Sequence, residues 1–389
     1  MASSATAQAE PDWLVERRRE GASLAQELAL PDPKAKGWEF TDLSGLDLDA
    51  YPGEPGSAAI GDGVAVGLAD AVTSDPDLVR KRLGSVVPAS GDPFVARNEA
   101  QWRQGALVHV PAGKVVEEPV RISVEPGAEG TGLAWRTLVV LEDGAEAEVW
   151  EEYGSGGGAG LFNGVTEIVV GAGANLRYVC KQDLPDESWV FATQRAELAA
   201  DASLEWVALG FGSARGKVRM ETKLDGRGSS ARVTGAYAGA GRQHLDFDTT
   251  QEHAAPHTTS DLAFRGVLAD RATAVWRGMI RVDPGAQQTD AFQESRNLLL
   301  SHRAHADAIP GLEIEANDVR CTHAAAVAQI DREQLHYLRA HGLPEPAAKR
   351  LVIDGFLHAL VERTPEGPVR EGLSSALEER LAAVLEARA

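Results

Sequence analysis

From Gly105 onward the chain is a succession of short alternating apolar runs broken by small turn residues, and the turns recur at a nearly fixed interval. The runs include Ala106-Leu-Val-His-Val110, Val120-Arg-Ile-Ser-Val124, Thr137-Leu-Val-Val-Leu141 and Glu167-Ile-Val-Val170. Alternation of this kind describes strands with one face buried. The turns at Gly144-Ala145, Gly173-Ala174, Asp201-Ala202 and Gly228-Ser229 lie 29, 28 and 27 residues apart, whereas later turns at Asp270, Gly285 and His302 lie 15 and 17 apart. These intervals suggest a coil of about 14 to 17 residues, with the earlier repeat counting two coils. Such a unit cannot bury its apolar face alone and must stack on its neighbours, which points to a β-solenoid; a sandwich would show similar strands.

Helical patterns flank this core. Pro11 to Leu30 carries Trp13, Leu14, Leu24 and Leu28 among charged residues and predicts an amphipathic helix ending near Pro31. The aromatic residues of Gly37-Trp-Glu-Phe-Thr-Asp-Leu43 read as packing groups, Tyr51 to Gly63 as a linker, and Asp75 to Leu83 and Pro93 to Gly105 as short helical or irregular connections. After Ile330, Asp331 and Gln334 can cap a helix bearing Leu335 and Leu338, with Gly342 and Pro344 as its stop. A second helix carries Leu351, Val352, Phe356, Leu357 and Leu360, and a third carries Val369, Leu373, Leu377, Leu381 and Leu385. The expected division is a helical and irregular region over 1–104, a solenoid over 105–330 and a helical domain over 331–389. The terminal helices are expected to cover the edge of the last coil, or to form a docking platform.

With 38 basic and 58 acidic residues the chain has a formal charge of −20, which argues against nucleic acid or an anionic membrane as its main partner. The segment from Met1 to Glu10 lacks a secretory pattern and no run is apolar enough to span a bilayer, so a soluble cytoplasmic protein is expected. Cys180 and Cys321, the only cysteines, then read as reduced thiols. There is no phosphate-binding loop; Gly154-Ser-Gly-Gly-Gly158 lacks the lysine and reads as a turn, so no ATP is expected on this chain. No hydrolase triad stands out, and the carboxylates are not grouped at a coil interval as a solenoid carbohydrate-active enzyme would need.

Of ten histidines most are scattered, and His253 and His257 flank Pro256, which spoils a helical zinc pair. Cys321-Thr-His323 differs, because residues two apart on a strand share a face and can present sulfur and imidazole together. Taken alone, a packed cysteine beside a satisfied histidine is the default. As a soft-metal site the pair would be only half complete. Cys180 has no partner by spacing and reads as packing.

Gln293-Glu-Ser-Arg-Asn-Leu-Leu-Leu-Ser301, the run from Pro310 to His323 and Gln334-Leu-His-Tyr-Leu-Arg-Ala-His-Gly342 together resemble the C-terminal signature of the SufB/SufD family, the paired scaffolds of the SUF iron-sulfur cluster assembly system. Trp38-Glu-Phe-Thr41 is similar to the segment that opens these proteins. The absence of cysteine from Asn297-Leu-Leu-Leu300, and Cys321-Thr-His-Ala-Ala325 in place of a His-Glu-Ala-Thr run, bring the chain closer to the SufD branch. The resemblance implies a right-handed parallel β-helix flanked by helical regions, and a non-enzymatic scaffold that pairs through its C-terminal coils with a SufB-like paralogue. It implies docking of a SufC-like ATPase on the terminal helices, where Leu335, Tyr337, Leu338, Arg339, Gly342 and Phe356 are the candidate contacts. His323 matches the histidine at the paralogue interface, implicated in building the nascent cluster with a cysteine of the paralogue, and Cys321 matches a family cysteine. Iron or an iron-sulfur cluster would thus be transient and shared. A homodimer stays open for the chain alone. Ala324-Ala-Ala326 departs from the common Gly-Ala-Thr and removes the threonine hydroxyl from any such role.

Overall fold

The computed structural model describes residues 10–386 other than residue 62. Helices α1 (Asp12–Glu27), α2 (Leu68–Ser74), α3 (Pro76–Arg82) and α4 (Pro93–Gln101) precede the main body. Two short strands, β1 (Ser57–Ile60) and β2 (Ala65–Gly67), lie among them. Sixteen strands follow: β3 (Gln104–Val110), β4 (Val120–Glu125), β5 (Gly132–Leu141), β6 (Glu146–Tyr153), β7 (Leu161–Val170), β8 (Asn175–Gln182), β9 (Trp189–Leu198), β10 (Ser203–Gly210), β11 (Arg215–Leu224), β12 (Ser230–Gly239), β13 (His244–His253), β14 (Thr259–Leu268), β15 (Thr273–Val282), β16 (Thr289–Leu299), β17 (His305–Ile314) and β18 (Val319–Gln329). Helices α5 (Arg332–Ala340), α6 (Glu345–Val361) and α7 (Pro368–Glu386) close the chain.

The strands form two nine-stranded sheets, one of β1 and the even-numbered strands from β4 to β18, the other of β2 and the odd-numbered strands from β3 to β17. Among β3 to β18 every pairing is parallel, so the chain winds as a β-solenoid with one strand per sheet in each coil. The coil is longer than the turn spacing suggests. Trp189 lies in register with Arg215, 26 residues on, and Thr273 with His305, 32 residues on; the 15- and 17-residue intervals after Asp270 are half coils between opposite corners.

One corner explains the sequence repeat. Gly113, Gly144, Gly173, Asp201, Gly228, His257 and Gln288 all have positive φ, where glycine carries no Cβ penalty and a few other residues are tolerated. Each sends its N–H to the next coil: Gly144 to Ala172 O (2.8 Å), Gly173 to Ala200 O (2.9 Å), Asp201 to Arg227 O (2.9 Å) and His257 to Gln287 O (2.9 Å). His257 is therefore a corner residue. His253 is instead fully buried, its ring nitrogens 2.8 Å from Thr258 Oγ1 and Ser260 Oγ, and burial lowers its pKa to about 4.

Alternate residues of both sheets meet inside the solenoid, where Trp206, Tyr237, Phe264 and Trp276 are buried. The outer faces are covered unevenly. At the N-terminal end Leu14, Leu68, Val72, Val79 and Leu83 pack on Leu107, Leu138 and Val140, and the buried Arg136 guanidinium bridges Glu99 (2.6 Å) on α4 and Glu167 (2.8 Å) on β7. Glu167 also accepts the N–H groups of Gly84, Val86 and Val87. Trp38 stacks on Phe94 (5.5 Å), whereas Phe40 is exposed, so only one aromatic of that segment packs. The stretch expected to be a linker contributes β1, which pairs antiparallel with β4.

The terminal helices depart most from expectation. Helices α6 and α7 leave the last coil uncovered and lie instead on the outer face of the even-numbered sheet, where Ile353, Leu357, Leu373, Leu377 and Leu381 pack on Val207, Leu209, Ala236, Ala263 and Val267. Those outward strand residues are apolar at successive coils and form a stripe that an amphipathic helix buries. Strands β17 and β18 are left as the terminal strands of their sheets.

Candidate functional site

The last two coils change character inside. On β14 the inward residues Leu262, Phe264 and Gly266 are in register with Gln293, Ser295 and Asn297 of β16, so the apolar filling gives way to a layer of amides and a hydroxyl. Glycines make this possible. A Cβ on Gly266 would lie 2.2 Å from Asn297 Oδ1, and one on Gly278 would lie 2.6 Å from Gln293 Oε1. Asn297 accepts the hydroxyl of Tyr237 (2.5 Å), and Gln293 Nε2 donates to Gly278 O (3.3 Å) and Gly311 O (3.1 Å). Gln293 Oε1 is buried and has no partner among the described residues. The alternating Gln-x-Ser-x-Asn pattern signalled this layer, but sequence reasoning assigned these three side chains no role.

One coil further on, β18 places Cys321 in register with Ala291, His323 with Gln293 and Val327 with Asn297, so Cys321 and His323 share the inward face. Opposite them on β17, Leu312 and Ile314 continue the inward columns of Ile280 and Val282. Among the described residues no further coil covers them: Leu312, Ile314 and Val327 remain 38%, 41% and 43% exposed. The solenoid thus ends in an open mouth with an apolar lining, a polar floor and a thiol–imidazole pair. His323 is exposed and Cys321 half-buried. Burial, then Asp290, pushes the Cys321 thiol up, so metal binding there would have to expel a proton.

Among the described residues no group of three or more His, Cys, Asp or Glu side chains is placed to hold a metal ion. Cys180 cannot complete the pair, because β8 stands five rungs from β18 and at ~4.8 Å per rung is about 24 Å away. It is buried, Gln194 Nε2 lies 3.3 Å from its sulfur, and burial followed by Glu151 pushes its thiol to about 12. The mouth therefore offers two protein donors to a metal.

Beside the mouth stands α5, capped where Asp331 accepts the Glu333 N–H (2.8 Å) and ended by Gly342 at φ +93. It has no buried residue; Leu335 and Leu338 are half-buried and Tyr337 is 63% exposed. Tyr337 and Leu338 line a groove of about 760 Å³ with Leu351, Val352 and Phe356. Arg339 lies on the opposite flank, 3.4 Å from Glu345.

Residues 124–356 match the model described as SUF system FeS cluster assembly, SufBD core domain, and residues 49–122 match the SufBD protein N-terminal region. The chain belongs to the SufBD family. A SufBD-family iron-sulfur cluster assembly protein of Mycobacterium tuberculosis is 31% identical over 363 residues, covering 90% of this chain and 89% of the relative. SufD of Bacillus subtilis is 28% identical over 415 residues, covering 96% and 95%, and SufB of the same organism is 28% identical over 302 residues, covering 76% and 64%. Identity does not separate the two branches, but the SufD alignment runs nearly end to end on both sides. Among the described residues no helix is long and apolar enough to cross a membrane.

Proposed function

We propose that this SufBD-family chain is a non-enzymatic, cytoplasmic scaffold subunit of the SUF system, acting as the SufD-type half of a pair. Its open mouth meets the corresponding end of a SufB-like paralogue, and the paralogue supplies the ligands that Cys321 and His323 lack. One observation carries this reading: β17 and β18 end their sheets with inward residues two-fifths exposed, beside a thiol and an imidazole on one face. A sheet end with free N–H and C=O groups is a template for strand addition. Imidazole is a good borderline ligand for iron, so His323 is the ligand this chain contributes to a nascent cluster, which is cargo passed onward. The groove at Tyr337, Leu338, Leu351 and Phe356 receives a SufC-like ATPase, which supplies the nucleotide chemistry this chain has no loop to perform.

The test is the His323→Ala complex purified without air. Cluster absorbance and iron content should fall to background while the complex still forms, since one exposed side chain contributes about 1 to 3 kcal/mol to an interface held by many. A His323→Ala complex carrying normal cluster refutes the shared site.

A further inference from the structure

Helix α5 stands as a ridge between two cavities of opposite character. One is the apolar groove already described, with Asp331 and Glu333 among its lining. The other is a cleft of about 410 Å³ between α5 and the turn joining β16 to β17, lined by Arg332, His336 and Arg339 of α5, Lys349 and Glu345 of α6, and His302 of the turn. Positions 332, 336 and 339 follow helical spacing, so one flank of α5 is basic while Gln334, Tyr337 and Leu338 form the other.

The charges in the cleft do not balance. Among the described residues its one carboxylate, Glu345, is shared by Lys349 (2.6 Å) and Arg339 (3.4 Å). Arg332 has no carboxylate within ion-pair distance among the described residues; its guanidinium lies 2.7 Å from His302 Nε2. A chain of net charge −20 thus gathers three cations against one anion in a single cleft. A guanidinium held only by an imidazole nitrogen lacks the carboxylate partner that its geometry suits best.

We propose that the partner docked on α5 straddles the helix, filling the apolar groove on one flank and placing acidic side chains against Arg332 and Arg339 in the cleft on the other. This rests on the ATPase-docking reading and adds the chemistry of its occupant: an acidic prong beside an apolar one. The opposite character of the flanks permits one orientation only, because a reversed partner would set its acids against Asp331 and Glu333.

The test is titration of the full chain with a purified SufC-like ATPase subunit, at about 50 and 300 mM salt. Arg332→Glu combined with Arg339→Glu should weaken binding at least tenfold at low salt and flatten the salt dependence, through slower association above all. Both side chains are exposed, so an unchanged melting curve will show that the variant folds. Leu351→Asp serves as the control for docking itself. If Leu351→Asp abolishes binding while the double reversal leaves affinity and salt slope unchanged, the acidic prong is refuted and the docking site stands. If neither variant alters binding, both are refuted. If millimolar inorganic phosphate binds the cleft of the free chain without competing with the ATPase, the cleft is a small-anion site and the prong is again refuted.

Discussion

Replacing Val327 with aspartate tests the open mouth most directly. Full burial of a Val, Leu or Ile side chain yields about 1.5 to 3 kcal/mol. Leu312, Ile314 and Val327 retain 38%, 41% and 43% of their exposure, so the paralogue can still gain roughly 0.6 to 1.2 kcal/mol from each, or about 2 to 3.5 kcal/mol from the three. In Val327→Asp one share of that gain is lost. A carboxylate is also enclosed between two apolar surfaces, which adds several kcal/mol unless it is paired. A total of about 3 kcal/mol corresponds to roughly 100-fold in affinity. The free chain should hardly notice, because the position is already open to solvent and such substitutions usually cost within about 0.5 kcal/mol. Titration calorimetry with the purified SufB-like paralogue, beside a denaturant curve of the variant alone, measures both quantities. If Val327→Asp binds the paralogue within threefold of the parent, the mouth is not the pairing surface.

Buried His253 should make stability depend on pH. Its folded pKa is lowered from 6.5 to about 4, so between those values the unfolded chain takes up a proton that the folded chain refuses. Its contribution is complete above pH 6.5 and is lost as pH falls towards 4, by about 3 kcal/mol in all; a denaturation series from pH 7 to 5 should show that slope in the parent and a shallower one in His253→Gln. Gly278→Ala should destabilise the last coils by about 1 to 3 kcal/mol, because its Cβ would lie 2.2 Å from the Trp276 ring and 2.6 Å from Gln293 Oε1. An unchanged unfolding midpoint would show that the polar floor repacks freely.

Short strands with one buried face and a recurring corner were legible in the sequence, which left a sandwich open beside the solenoid, because such corners take a positive-φ residue once per coil and such strands take an apolar residue at every second position. Gly144, Gly173, Asp201 and Gly228 record the first requirement and the alternating runs record the second. That Cys321 and His323 share a face was legible too, since strand periodicity is local. The length of a coil was not legible, because successive half coils end in similar turns and only pairing across sheets, as of Thr273 with His305, tells which corners stack. Nor was the burial of His253, whose ring nitrogens meet Thr258 at the corner beyond it and Ser260 on β14. The place of the terminal helices was decided by a stripe assembled from strands far apart in the chain, Val207, Ala236, Ala263 and Val267 among them, which exists only once the coils are stacked. Because that stripe claims α6 and α7, these helices do not close the last coil. The open mouth, its polar floor and the proud ridge of α5 are thus products of tertiary structure, for each depends on which surface of the finished solenoid was already covered.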